Sequence, residues 1–292
     1  MKLYENSLEN LVQVDYRCPK CRNCQSCRDA HQTERVSLRE EQEDALIKDC
    51  VTLDYENQRF LCSLPLRGKA EDFLVTNKRD AQKVLDRQVL LYHKEEATKD
   101  LIVKAMNKLF KKNHIQLLKD LPEHTQRMIL DEAVNYFIPW RVVFKASSIS
   151  TPARPVFDCS AKTPLNNQGQ GGHCLKDLMA KGKSKSFNLI QMLLRFSIGA
   201  FGISGDISQF YNVFKLKPEF WHLQLFLWRE ALNPENPVDI VVIKTIIYEN
   251  GAAAPISEEG MSQLADKVKP HDPELADFLT EARYVDAKGA YG

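Results

Sequence analysis

The chain has 292 residues, 43% hydrophobic and 27% charged, which is the composition of a folded protein and excludes a disordered or fibrous one. Forty lysines and arginines against 39 aspartates and glutamates leave a net charge of +1, so a nucleic-acid or membrane partner would have to be met by a local patch. Residues 1–10 lack the basic stretch and apolar core of a secretory signal, and the most apolar run, Leu189–Ile203, is broken by Arg195 and too short for a bilayer. These features lead to the expectation of an intracellular chain, cytoplasmic or nuclear, with no membrane partner.

In chain order, the first distinctive feature is Cys18, Cys21, Cys24 and Cys27, spaced C-x2-C-x2-C-x2-C. Four thiolates can close a tetrahedral zinc site, with His31 near enough to replace one of them. The spacing is tighter than in zinc ribbons and is shared with iron–sulfur runs, so zinc, an iron–sulfur cluster and no stable metal all stay open. Ser37 with Glu40 forms a capping-box pattern and predicts a helix over Ser37–Lys48.

Residues 77–113 carry helical periodicity, with Val84, Val89 and Leu90 on one stripe and Leu101, Ala105 and Leu109 on the next. A third helix is expected over Thr125–Tyr136, ended by Pro139. Beyond it, Arg141–Phe144 and Pro155–Phe157 read as strands, Asn166–Gly172 as loop, and Leu175–Lys181 and Phe187–Phe196 as helices. Strand-like runs follow at Gly199–Ser208, His222–Trp228 and Val238–Tyr248. Pro255–Val268 reads as a helix whose first turn, Ser257-Glu258-Glu259, suits the positive end of the dipole. The expected class is α+β, with residues 1–65 a cysteine-rich connector, 66–138 a helical region and 139–292 a sheet-centred part.

Two carboxylates stand out. Alternation over Ile203–Ser208 puts Ser204, Asp206 and Ser208 on one face of a strand and Ile203 and Ile207 on the other. Asp286 lies in a second short strand-like stretch, Arg283–Ala287. If the two strands share a sheet, the pair offers the hard oxygen donors that two Mg²⁺ ions take. Between Trp140 and Lys185, Arg141, Lys145, Arg154, Lys162, Lys176, Lys181, Lys183 and Lys185 outweigh Asp158 and Asp177. That local basic surplus is suited to phosphates.

Asp206-Ile-Ser-Gln-Phe-Tyr211 resembles motif A of reverse transcriptases, and Tyr284-Val-Asp286 resembles the start of their YxDD motif C. Arg154-Pro-Val-Phe-Asp158-Cys-Ser-Ala-Lys162 is similar to the fingers segment of Bel/Pao-type LTR retrotransposons, R-V-V-F-D-A-S-A-K. Cys174-Leu-Lys-Asp-Leu-Met-Ala-Lys-Gly182 is similar to the segment that follows in those elements. The motifs occur in the family's order from about residue 80 to 287.

The resemblance implies a partial right-hand polymerase, fingers plus incomplete palm, preceded by the helical, cysteine-rich region. It implies RNA-directed DNA synthesis with two Mg²⁺ ions on Asp206 and Asp286. Tyr211 would be the steric gate under the nucleotide sugar, Arg154 and Lys145 phosphate contacts, and Gly251 a motif B position near template and nucleotide. The implied partners are an RNA or DNA template with its primer, deoxynucleotides, and other parts of a retrotransposon polyprotein.

Two departures lead to the expectation of a defective enzyme. Ala287 stands where the second motif C aspartate belongs, and Lys288–Gly292 does not read as the returning strand of a hairpin. The sequence also stops before the family's primer grip and thumb, the parts that hold the primer end. The alternatives are a noncatalytic nucleic-acid-binding remnant that keeps the cysteine cluster and basic fingers, or a remnant that does not fold stably.

Overall fold

The structure is a computed structural model and describes residues 38–145, 147–148, 151–182, 202–281, 283–284 and 287–291. Two compact units divide the chain, Met1–Arg39 and Glu40–Gly292, and of the first only Leu38 and Arg39 are described. The predicted helix over Phe187–Phe196 lies outside the described residues.

Helix α1 (Leu38–Cys50) runs straight into β1 (Val51–Asp54), which folds back antiparallel on β2 (Arg59–Cys62). The reversal is fixed by Asp54, whose carboxylate accepts the Asn57 N–H at 3.2 Å and the Arg59 guanidinium at 3.0 Å. A short helix α2 (Ala70–Phe73) precedes the amphipathic pair α3 (Lys78–Tyr92) and α4 (Glu96–Lys111). Then come β3 (Ile115–Leu117), α5 (Glu123–Leu130), the hairpin β4 (Trp140–Phe144) and β5 (Ala153–Phe157), and the single turn α6 (Leu175–Leu178). The remainder is β6 (Gly202–Asp206), β7 (Phe214–Leu216), β8 (Leu225–Arg229), β9 (Val238–Ile243), α7 (Ala253–Val268), α8 (Pro273–Glu281), β10 (Arg283–Tyr284) and β11 (Ala287–Tyr291).

The strands form small sheets, as expected for an α+β protein: β1-β2-β7, β3-β9-β8, β4-β5 and β10-β11-β6. β7 joins β2 in parallel, Phe60 opposite Phe214, and brings residues 51–62 into the same unit as the second half of the chain. The core is densest around β8, whose Leu225, Phe226, Leu227 and Trp228 are all buried. A strand buried on both faces reads as a continuous apolar run, not as alternation. Trp228 meets Trp140 at 5.4 Å and Phe226 meets Phe157 at 5.0 Å between ring centroids, and the Trp140 indole donates to the Leu227 carbonyl at 3.0 Å. This packing locks the β4-β5 hairpin onto β8. Tyr136 and Ile138 are fully buried beside it and bond by their backbone to His222 and Leu225.

Several expected elements are placed differently. The inward stripe of α3 is Ala81, Leu85 and Val89, while Leu90 is 60% exposed. On α4 it is Ile102 and Met106, one residue beyond Leu101, Ala105 and Leu109. Leucine recurs on both faces there, so hydrophobicity alone did not phase the helices. The third helix ends at Leu130 because residues 134–138 leave it for an extended, buried path, in which Phe137 bridges in parallel to Leu225. The helix from Leu175 stops at Leu178, and the strands expected to start at His222 and end at Tyr248 run only over Leu225–Arg229 and Val238–Ile243.

Helix α7 begins at Ala253, not Pro255. Ser257, Glu258 and Glu259 therefore lie inside it, each less than 5% exposed, and do not form a solvated acidic first turn. Residues 287–291 do form the returning strand of a hairpin, contrary to expectation: a strand edge, not side-chain hydrophobicity, selects this conformation for Lys-Gly-Ala-Tyr.

Candidate functional site

Asp206 is the last residue of β6, and β6 lies antiparallel to β11 with Ala287 opposite Asp206, Lys288 opposite Gly205 and Tyr291 opposite Gly202. β10 closes the sheet on the other side, Tyr284 opposite Ala287. Facing residues of an antiparallel pair stand about 4.5–5.5 Å apart at Cα. Asp206 therefore ends its strand against the residue that follows Asp286 in the chain. Asp286 itself lies outside the described residues. Strand β6 and the hairpin come from segments about 80 residues apart and are joined here by register alone.

After Asp206 the chain turns sharply. Gln209 adopts the left-handed conformation (φ 55°), which a non-glycine residue occupies at some cost, and Phe210–Val213 makes one tight 3₁₀ turn. The turn carries Tyr211 inward, where it is buried and meets the Tyr248 ring edge-on at 4.5 Å. Asn212 secures it to the far side of β9 by a 2.9 Å bond to the Thr245 hydroxyl. Tyr248 is 62% exposed and covers Tyr211, so the buried phenol has an aromatic neighbour that the sequence reading missed. Nothing local in the sequence marks Tyr248, because the contact joins positions 37 residues apart.

Gly251 is needed for a close approach. A Cβ there would come within 2.9 Å of the Lys176 side chain and 3.6 Å of Met179. Lys176, one of the residues of the basic stretch, thus lies across the start of α7. The contacts thus form two pairs, Tyr211 with Tyr248 and Gly251 with Lys176.

Arg154 and Lys145 sit elsewhere, on the β4-β5 hairpin. The register sets Val143 opposite Arg154 and Arg141 opposite Val156, so Arg141, Lys145 and Arg154 share the face turned away from buried Trp140, Ala153 and Phe157. All three cations are exposed. Arg154 is steadied by the Thr151 hydroxyl, at 3.2 Å from Nε and 3.0 Å from Nη2, and bonds to no carboxylate among the described residues. The two nearby acids are occupied locally: Asp158 accepts the Ser160 N–H at 2.9 Å, and Asp177 caps α6 by accepting the Cys174 N–H at 3.0 Å. That cap holds the Asp177 carboxyl below its ordinary range. Lys183 and Lys185 lie outside the described residues.

Cys18, Cys21, Cys24, Cys27 and His31 also lie outside the described residues. Cys50, Cys62, Cys159 and Cys174 are buried thiols, and burial raises the pKa of each, Cys50 to about 12 with Glu259 adding to the effect. Such thiols are poor nucleophiles. Among the described residues no group of three or more His, Cys, Asp or Glu is placed to share an ion, and no helix is long and apolar enough to cross a membrane. Neither a scan against protein-family models nor a search of curated proteins returns a match for this chain.

Proposed function

We propose that this chain derives from the RNA-directed DNA polymerase of a Bel/Pao-type retrotransposon and has a nucleotidyl-transfer site weakened by Ala287. The observation that carries the reading is the antiparallel register of β6 and β11, which sets Asp206 against Ala287 at the end of a β10-β11 hairpin. A motif A strand beside a motif C hairpin is the arrangement the two aspartates require. Asp206 and Asp286 are hard oxygen donors of the kind Mg²⁺ takes, and bound Mg²⁺ would supply charge stabilisation at the primer hydroxyl and the leaving pyrophosphate. In this reading the nucleotide sugar reaches the buried Tyr211 only when Tyr248, which covers it, swings aside, while Arg154 and Lys145 on the exposed hairpin face hold phosphate oxygens. The loss of a carboxylate at position 287 removes negative charge beside the metal ligands, so metal affinity falls even with both ligands present.

A second reading, a noncatalytic nucleic-acid-binding protein, is favoured by the same hairpin, whose three exposed cations do not need an intact catalytic centre. Primer extension on an RNA template with Mg²⁺, run beside hybrid binding, separates the two. The expected outcome is negligible extension by the natural chain, at least tenfold more incorporation by Ala287→Asp, and loss of that gain when Asp206→Asn is added. Robust extension by the natural chain would refute the proposed weakness. Hybrid binding without any gain from Ala287→Asp selects the noncatalytic reading, and absence of both activities ends the two together.

A further inference from the structure

A second cationic cluster lies where the ends of β3, β7 and β9 come together. The Lys244 N–H bonds to the His114 carbonyl at 2.8 Å, the Leu216 N–H bonds to the Lys244 carbonyl at 2.9 Å, and Lys215 bridges to Thr245. His114, Lys244 and Lys215 are therefore neighbours on three adjoining stretches of chain. Lys112, two residues before His114, reaches over to the Gln209 side chain.

The partners of these cations are neutral. Lys244 Nζ donates to Asn113 Oδ1 at 2.7 Å and Gln116 Oε1 at 2.9 Å and lies 5.6 Å from the Trp221 ring. Lys112 donates to an amide oxygen, and the Lys215 ammonium has no hydrogen bond or ion pair among the described residues. Arg59, also near Lys215, is engaged by Asp54 at 3.0 Å. The ring nitrogens of His114 are buried and make no hydrogen bond of good geometry, although the Gln209 side chain is near enough to pull its pKa upward against burial. Burial lowers the pKa of Lys215, Lys244 and His114, with Lys244 and Arg59 adding to the effect at Lys215, and Lys215 and Lys112 at His114. The half-buried charges of Lys215 and Lys244, met by no carboxylate among the described residues and set beside the exposed Lys112 and a buried imidazole, are costly for a protein alone and complementary to an oxyanion.

We propose that Lys112, His114, Lys215 and Lys244 form a binding site for a phosphate group, separate from the β4-β5 hairpin. The group belongs either to a free polyphosphate or to a nucleic-acid backbone. The site needs neither the Asp206–Asp286 pair nor a polymerase activity, so it goes beyond the function proposed above.

The test uses the whole chain and two probes at one ionic strength: inorganic pyrophosphate by calorimetry and a short RNA–DNA hybrid by fluorescence anisotropy. Lys215→Gln and Lys244→Gln are expected to weaken at least one probe tenfold or more, while Lys104→Gln, on the exposed side of α4, stays within twofold of the natural chain. Because each glutamine replaces a half-buried charge, the thermal midpoint without ligand should hold or rise. A loss confined to pyrophosphate assigns the site to free polyphosphate, and a loss confined to the hybrid assigns it to backbone phosphate. A readout independent of folding of the lysine variants is the His114 ring resonance of the natural chain, which should move on saturation with the probe that binds. Binding of both probes within twofold of natural by Lys215→Gln and Lys244→Gln, or an unmoved His114 resonance at saturation, would overturn the proposal.

Discussion

Single side chains set the acid limit of this fold. His114 and His222 are both held below the ordinary histidine value of 6.5, in each case mainly by burial, with Glu132 and the Glu219 backbone pulling His222 the other way. A depressed folded-state value means that the unfolded chain binds protons first. The stability these two groups contribute is complete above 6.5 and is lost as pH falls through that value toward their folded ones. Asp177, held low chiefly by the Cys174 N–H, adds a second loss below its ordinary 3.8. Urea midpoints measured from pH 8 to 5 should therefore fall below about pH 6.5, and His222→Gln should flatten that decline. A midpoint unchanged between pH 7.5 and 5.5 would contradict the assignment. At this scale the sequence was informative where chemistry is local: Asp206 announced itself as a charge in an apolar, alternating strand. Tyr248 and Lys244 gave no such signal, because their importance arises from neighbours about 35 and 130 residues away.

Elements were legible in kind and less so in phase. α3 and α4 follow from helical periodicity, and β8 and β9 from their apolar runs. The inward faces of α3 and α4 were misassigned because leucine occupies both sides of each helix. Gly260 shows what a helix adds that periodicity does not contain. It lies inside α7, where glycine costs about 1 kcal/mol relative to alanine, and its face abuts the stacked Phe60–Phe214 pair, whose centroids are 4.7 Å apart. A Cβ at 260 would fall 2.4 Å from the Phe214 ring and 3.2 Å from Phe60. Gly260→Ala should therefore destabilise the chain by about 1–3 kcal/mol, because overpacking outweighs the gain in helix propensity. Chemical denaturation measures this directly, and a stabilised variant would show that α7 does not sit against the β2-β7 pair as described.

Across the chain as a whole, near-zero net charge coexists with an exposed basic hairpin face and a half-buried cationic cluster. Under the proposed function, nucleic-acid affinity is expected to be local in origin and to fall with rising salt. Arg154→Ala and Lys145→Ala should each reduce the slope of log affinity against log salt by about 1 and weaken binding evenly across sequences. A slope unchanged by both would remove the hairpin from the interface. The sequence carried the α+β class and the basic stretch. It did not carry the joining of residues 51–62 to β7, since strand partnership depends on a matching edge and not on any property of either segment alone.

That parallel seam has a consequence for biosynthesis. Cys62 and Lys215, bonded through Sγ and a carbonyl at 3.4 Å, are 153 positions apart. At ribosomal rates of about 5–20 residues per second, β2 emerges roughly 8–30 s before its mate exists. For that interval the nascent hairpin exposes an unpaired edge, a template for wrong pairing between growing polypeptides. Efficient production of this protein should depend on chaperones that occupy the edge until translation passes residue 216.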